Sequence, residues 1–159
     1  MSEEPSSTSE AAGMAEAEQR WVGRSDSLLR SATAHDLPAA LATAEAVRDG
    51  LPFDVVANLA ETGAIDRAAL DVSRLITAAD WRKAEKSSRF GPEIAQRVTR
   101  ALRLTAEAQA VFGDGKAAIW LSRPTKPLGD LSPLALLDTD EGARAAETLL
   151  KRIAHGIAA

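Results

Sequence analysis

Apolar residues along this chain recur at steps of three and four, the period of amphipathic helices, and nowhere alternate as half-buried strands do. The clearest case runs from Glu93 to Phe112, where Ile94, Val98, Ala101, Thr105, Ala108 and Phe112 make one stripe with Thr105 as its only polar member. The pattern predicts a long helix there. A second stripe, Ala143, Ala146, Leu150, Ile153 and Ile157, predicts a final helix. Thr139 is placed to cap it, Asp140 and Glu141 suit the positive end of its dipole, and Gly156 fits its stop. Shorter helices are expected over Ala39–Arg48 behind Pro38, and from Leu51-Pro52 through Ala60, closed by Thr62-Gly63. Asp66 should cap Arg67–Ser73. Thr77 and Asp80 have the spacing of a capping box opening a helix through about Lys86. Gly113-Asp114-Gly115 ends the long helix, Lys116–Leu121 follows, and Ser132-Pro133 opens Leu134–Leu137. Trp21–Leu37 is weakly helical. No strand and no repeat is predicted, so the fold class is all-α.

Composition supports this pattern. Aromatics make up only 4% of the 159 residues while apolar residues reach 45%, and alanine, the best helix former, is abundant. Residues 1–18 are polar and acidic and read as a disordered tail. They lack the basic and apolar regions of a secretory signal, and no run of about 18 apolar residues is present. A cytoplasmic protein with no membrane span is the expectation. The chain has no cysteine and two histidines far apart, His35 and His155. Neither a disulfide nor a metal site is expected. No nucleophile motif, phosphate-binding glycine loop or cofactor signature is present, so catalysis is not expected.

Charge changes the picture in the middle of the chain. Between Arg67 and Arg103 stand nine basic residues (Arg67, Arg74, Arg82, Lys83, Lys86, Arg89, Arg97, Arg100, Arg103) and four acidic ones. That excess of five positive charges sits in a chain of net charge −4, so the remainder carries −9. The window reads either as a nucleic-acid face or as a solvated helix face. Two short helices joined by a turn, Asp66–Ser73 and Thr77–Lys86, have the lengths of a helix-turn-helix. The second would then lie in the major groove, with Thr77, Arg82, Lys83, Lys86 and Arg89 as DNA contacts. Arg82 is the candidate for a bidentate guanine contact. Trp81 is expected to pack in the core rather than read a base.

The last 50 or so residues carry a more specific arrangement. It begins A-x-x-V-F-G-D (Ala108, Val111, Phe112, Gly113, Asp114) and A-x-x-W-L (Ala117, Trp120, Leu121). It continues through Pro124, Leu128-Gly129, Pro133-Leu134, Leu136-Leu137, Thr139 and Gly142 to L-x-R-I-x-H-G (Leu150, Arg152, Ile153, His155, Gly156). In order and spacing this resembles the C-terminal domain of the Xre/MbcA/ParS antitoxin family. Gly50-Leu51-Pro52, Ile76-Thr77, Pro92-Glu93 and Arg97 resemble, more loosely, that family's Xre-like half. The chain departs from the family at Ala79-Asp80, where an Arg/Thr-rich helix start is usual. It departs again at Thr125, where Asn is common, and at Asp130, where a second Gly is common.

The resemblance implies a three-part chain: the tail (1–18), a helical Xre-like unit (19–107) and a toxin-binding domain (108–159). It implies a type II antitoxin whose partner is a cognate RES-domain toxin that consumes NAD or transfers ADP-ribose from it. The antitoxin would cover the toxin's active-site cleft, form a homodimer within a hetero-oligomer, and repress its own operon by binding operator DNA. The toxin contacts expected are Trp120, Arg123, Pro124, Lys126, Leu128, Arg152, His155, Gly156, Ile157 and Ala159. Trp120, Leu121, Leu136, Leu137, Leu150 and Ile153 also read as the small domain's own core. The proline-rich loop Trp120–Leu137 is expected to be stiff. A stand-alone helix-turn-helix regulator without a toxin is the alternative reading.

Overall fold

The computed structural model describes residues 27–34 and 36–157. The expected tail (1–18), the start of the weak helix at Trp21, His35 and Ala159 lie outside these residues. The regular secondary structure described is helical apart from one pair of two-residue strands. A helical stretch over residues 27–33 (α1) precedes α2 (Leu37–Asp49), β1 (Leu51–Pro52), α3 (Phe53–Glu61), α4 (Arg67–Val72) and α5 (Ala78–Ser87). Then come β2 (Arg89–Phe90), α6 (Pro92–Phe112), α7 (Asp114–Ser122), two 3-10 turns (Lys126–Leu128 and Leu134–Leu136) and α8 (Asp140–Ala154).

The local signals act as their chemistry dictates. Asp36 accepts from the Ala39 amide at 2.8 Å and caps α2, with Pro38 in its first turn. Asp66 accepts from the amides of Ala68 and Ala69 and caps α4. The Thr77–Asp80 box closes in both directions: Thr77 Oγ1 accepts from the Asp80 amide at 3.3 Å, and Asp80 Oδ2 accepts from the Thr77 amide at 2.8 Å. Thr139 accepts from the Gly142 amide at 3.1 Å and opens α8. Gly156 at φ +65 ends the chain's last helical turn, so Ile157 leaves the helix and is 55% exposed rather than extending the buried stripe.

Four expectations change. The weak helix expected to Leu37 stops at residue 33, and Leu37 opens α2 instead. Leu51-Pro52 does not start a helix; it pairs antiparallel with Arg89–Phe90 (Leu51 opposite Phe90), and α3 begins at Phe53. A strand of two residues has no room for alternation, so no periodicity could have announced it. The helix expected from Lys116 starts at Asp114, because Gly113 at φ +76 ends α6 and turns directly into α7. The helix expected over Leu134–Leu137 is a 3-10 turn over Leu134–Leu136, with Ser132 Oγ accepting from the Ala135 amide.

The 21-residue α6, about 30 Å long, is the axis of the molecule. Its buried set, Ala95, Val98, Thr99, Ala101, Leu102, Leu104 and Ala108, is wider than the single stripe expected, because α2, α7 and α8 all pack on it. Ile94, Thr105 and Phe112 of that stripe are only half-buried. One hydrophobic cluster runs from Leu28 to Leu150, through both halves of the chain.

Arg100, 15% exposed, ties α6 to the start of α8. Its guanidinium donates to the Leu137 carbonyl at 3.0 Å, the Asp138 carbonyl at 3.3 Å and Asp140 Oδ1 at 2.5 Å. Charge-assisted bonds contribute about 1.5–3 kcal/mol each when buried, less where a partner is as open as Asp140. Arg100→Met keeps the stem's packing and removes all three. We expect it to cost about 2 kcal/mol in denaturant unfolding. An unchanged midpoint would mean that water replaces these bonds without loss.

Candidate partner-binding and nucleic-acid interfaces

The segment joining α7 to α8 is locked by its own backbone. Thr125 and Leu131 form an isolated bridge, the Thr125 amide donating to the Leu131 carbonyl at 3.1 Å. The Leu128 and Asp130 amides both donate to the Thr125 carbonyl, and the Gly129 amide donates to Lys126. Gly129 (φ +69) and Asp130 (φ +60) are both left-handed, a conformation a side chain rarely adopts. Pro133 and Leu137 sink into the core, and the Phe112 and Trp120 rings meet at 5.7 Å. Amide hydrogen bonds thus hold the conformation of this loop, beside the prolines from which stiffness was expected.

The expected toxin contacts divide by exposure. Arg123, Pro124, Lys126, Arg152, His155, Gly156 and Ile157 are exposed. Trp120 and Leu128 are half-buried, and Trp120 packs against the hydrophobic cluster. Leu121, Leu137 and Leu150 are buried, and Leu136 and Ile153 partly so. Arg123, Pro124, Lys126 and Leu128 sit on or beside the locked loop, whereas Arg152 to Ile157 close α8. Arg144, Thr148 and Leu149 were not among the expected contacts. With Pro127, Leu128 and Arg152 they line a groove of about 310 Å³ between the loop and α8. The four-residue repeat 144–148–152 was visible, but not the loop that lies against it.

Several basic residues of the middle are engaged within the chain, although Arg89 among them stays exposed. Arg67 lies over the Trp81 ring, 4.2 Å from its centroid. Arg89, expected to contact DNA, donates to the carbonyls of Asp49 (2.6 Å) and Gly50 (3.0 Å), where a cation suits the negative end of α2. Arg97 pairs with Glu93, Arg100 with the start of α8, and Arg103 reaches the Ala32 carbonyl at 3.4 Å. Thr77 is the N-cap of α5. Arg82, Lys83 and Lys86 are exposed on α5.

Between α4 and α5 the turn is anchored by Leu75 and Ile76, both fully buried, whose amides donate to the Leu70 carbonyl. Trp81 is 5% exposed and packs edge-on against Phe53 and Phe90, centroids 6.0 and 5.1 Å away. It serves the core, as expected. Asp80 is engaged in the capping box. Among the described residues no group of three or more His, Asp or Glu could hold a metal ion, and no helix is long and apolar enough to cross a membrane.

Residues 107–156, spanning the end of α6, the locked loop and α8, match the family described as the antitoxin Xre/MbcA/ParS C-terminal toxin-binding domain. A protein named Antitoxin Xre from Yersinia enterocolitica is 32% identical over 126 residues, which cover 76% of this chain and 85% of that one. Another Antitoxin Xre, from Photorhabdus laumondii, is 31% identical over 114 residues, 70% of this chain and 77% of its own. A third, from Pseudomonas putida, is 43% identical over 61 residues, 38% of each chain. The first two likenesses extend well beyond the C-terminal segment, and with that segment's own match they establish that the chain belongs to the Xre/MbcA/ParS antitoxin family.

Proposed function

We propose that this protein is the antitoxin of a type II toxin–antitoxin pair, and that it neutralises a RES-domain toxin by covering its NAD-handling active site. The observation that carries this reading is a coincidence of place: the segment matching a toxin-binding domain, 107–156, contains the backbone-locked loop beside α8. A surface rigid before binding loses less ordering entropy on binding. The RES class of the partner rests on the resemblance of the C-terminal motifs. The chain acts here by binding, without catalysis and without a cofactor, as a homodimer within the toxin–antitoxin complex. The test is co-purification with the tagged product of the adjacent reading frame, with an assay of that product's NAD consumption. Tight association with loss of activity is expected. No association would favour the stand-alone regulator.

The same protein represses its own operon through α4 and α5. The supporting observation is the exposed set Arg82, Lys83 and Lys86 on the helix after the buried Leu75-Ile76 turn. Because Asp80 is held by Thr77, its charge is tied to the helix start. Arg82→Ala with Lys83→Ala should weaken operator binding by about 1–3 kcal/mol per lost contact and flatten the salt slope by about two. Fluorescence anisotropy across a salt series reads both. The thermal midpoint should not move, since neither side chain is buried. Unchanged operator affinity would remove α5 as the reading helix.

A further inference from the structure

The groove between the locked loop and α8 has a specific chemistry. Pro127 and Leu128 form one wall, and Ala145, Thr148 and the 5%-exposed Leu149 form the other wall and the floor. Arg144 and Arg152 are both exposed and stand eight residues apart on α8, about 12 Å along the helix. Thr148 sits between them in the same four-residue row. No carboxylate among the described residues lines the groove, and Lys126 opens the turn beside it. Glu147 and Asp140 instead line the neighbouring polar groove between α2, α6 and α8, with Arg144 on the ridge between the two. A chain of net charge −4 therefore holds an apolar-floored groove bordered by two arginines within the segment that matches a toxin-binding family.

We propose that this groove seats an acidic, extended segment of the toxin, with carboxylates on Arg144 and Arg152 and an apolar side chain on Leu128 and Leu149 between them. The inference rests on the toxin-binding reading above and names the chemistry of the partner at that site. Guanidinium forks pair with carboxylates through two parallel hydrogen bonds. A span of about 12 Å corresponds to three or four residues of extended chain, at about 3.4 Å each. Side chains three apart on an extended chain face opposite ways, so the partner's two acidic residues are four positions apart with the apolar one midway between them. The apolar floor favours a protein side chain over a nucleic-acid phosphate, which needs water or donors beneath it.

The experiment compares the full-length protein with its Arg144→Glu and Arg144→Glu/Arg152→Glu variants. The affinity of each for the co-expressed toxin is measured at low and high salt. The single reversal should weaken binding about tenfold and the double about a hundredfold or more, each tenfold step being about 1.4 kcal/mol. Wild-type affinity should fall as salt rises. Arg152 makes a further interaction within the chain, so Arg144→Glu alone carries the test if the double variant loses its fold. Full toxin affinity in a folded reversal variant overturns the groove while leaving the toxin reading intact. Reversal that abolishes operator retention instead assigns the groove to nucleic acid and overturns the proposal. If wild-type protein forms no complex with the toxin, this proposal and the toxin reading fall together.

Discussion

Gly142→Ala lowers the thermal midpoint by about 4–8 °C, the expected outcome of a net loss of about 2 kcal/mol in a chain of this size. Helix propensity alone points the other way, because alanine is favoured over glycine by about 1 kcal/mol inside a helix. Packing reverses the sign. A Cβ at Gly142 would fall well inside contact distance of the Leu136 carbonyl oxygen and crowd the Leu136 carbonyl carbon and Cβ as well. Two of these atoms are backbone, held by the 3-10 turn before α8, so they cannot swing aside. Overpacking of this kind costs about 1–3 kcal/mol or more. The shift would carry the start of α8 away from Arg100, which bonds Leu137, Asp138 and Asp140 at that corner. Toxin affinity should fall with the midpoint, because the loop and α8 would no longer meet in register. A midpoint that rises would show that the corner is loose enough to absorb a methyl group.

Trp81→Ala should be the most damaging single change in the α4–α5 unit. Removing a buried tryptophan costs about 3–5 kcal/mol. Here it also removes the ring that Phe53 and Phe90 pack against and that Arg67 covers. Equilibrium denaturation should show that loss, with operator binding lost as a consequence of unfolding. Trp81→Phe should stay within about 1–2 kcal/mol of the parent. The indole Nε1 is buried without a hydrogen-bond partner among the described residues, so phenylalanine gives up volume but also removes an unsatisfied donor. If Trp81→Ala kept its stability and lost only DNA affinity, the tryptophan would be a contact and not a core residue. The contrast with the Arg82/Lys83 double variant separates folding from recognition, since that pair lies outside the core.

Helix ends were legible because a cap and its target amide are two or three residues apart. Asp66, Thr77 with Asp80, and Thr139 could be named from spacing, as could the stop at Gly156. The long helix and the final helix were legible because three- and four-residue steps repeat for several turns. The loop was expected to be stiff from its prolines, but its internal bonding was not legible. There the Thr125 carbonyl accepts twice and two consecutive residues are left-handed, one of them Asp130.

What the sequence by itself determined is therefore most of the helices, their caps and stops, and a family resemblance carried by residue order. The tertiary structure alone decided which of the basic residues are tied to distant backbone. Nine basic residues between Arg67 and Arg103 read alike in sequence. Yet Arg89 and Arg100 are engaged by carbonyls or carboxylates about 40 residues away, and Arg103 reaches one 71 away. It also decided that Leu51 pairs with Phe90, that Gly142 must lack a side chain, and that Arg144 and Arg152 border one groove. The physical reason is the same in each case. Capping and helical periodicity act over one turn of chain, whereas charge pairing, strand pairing and close backbone approach depend on segments that become neighbours only when the core closes around α6.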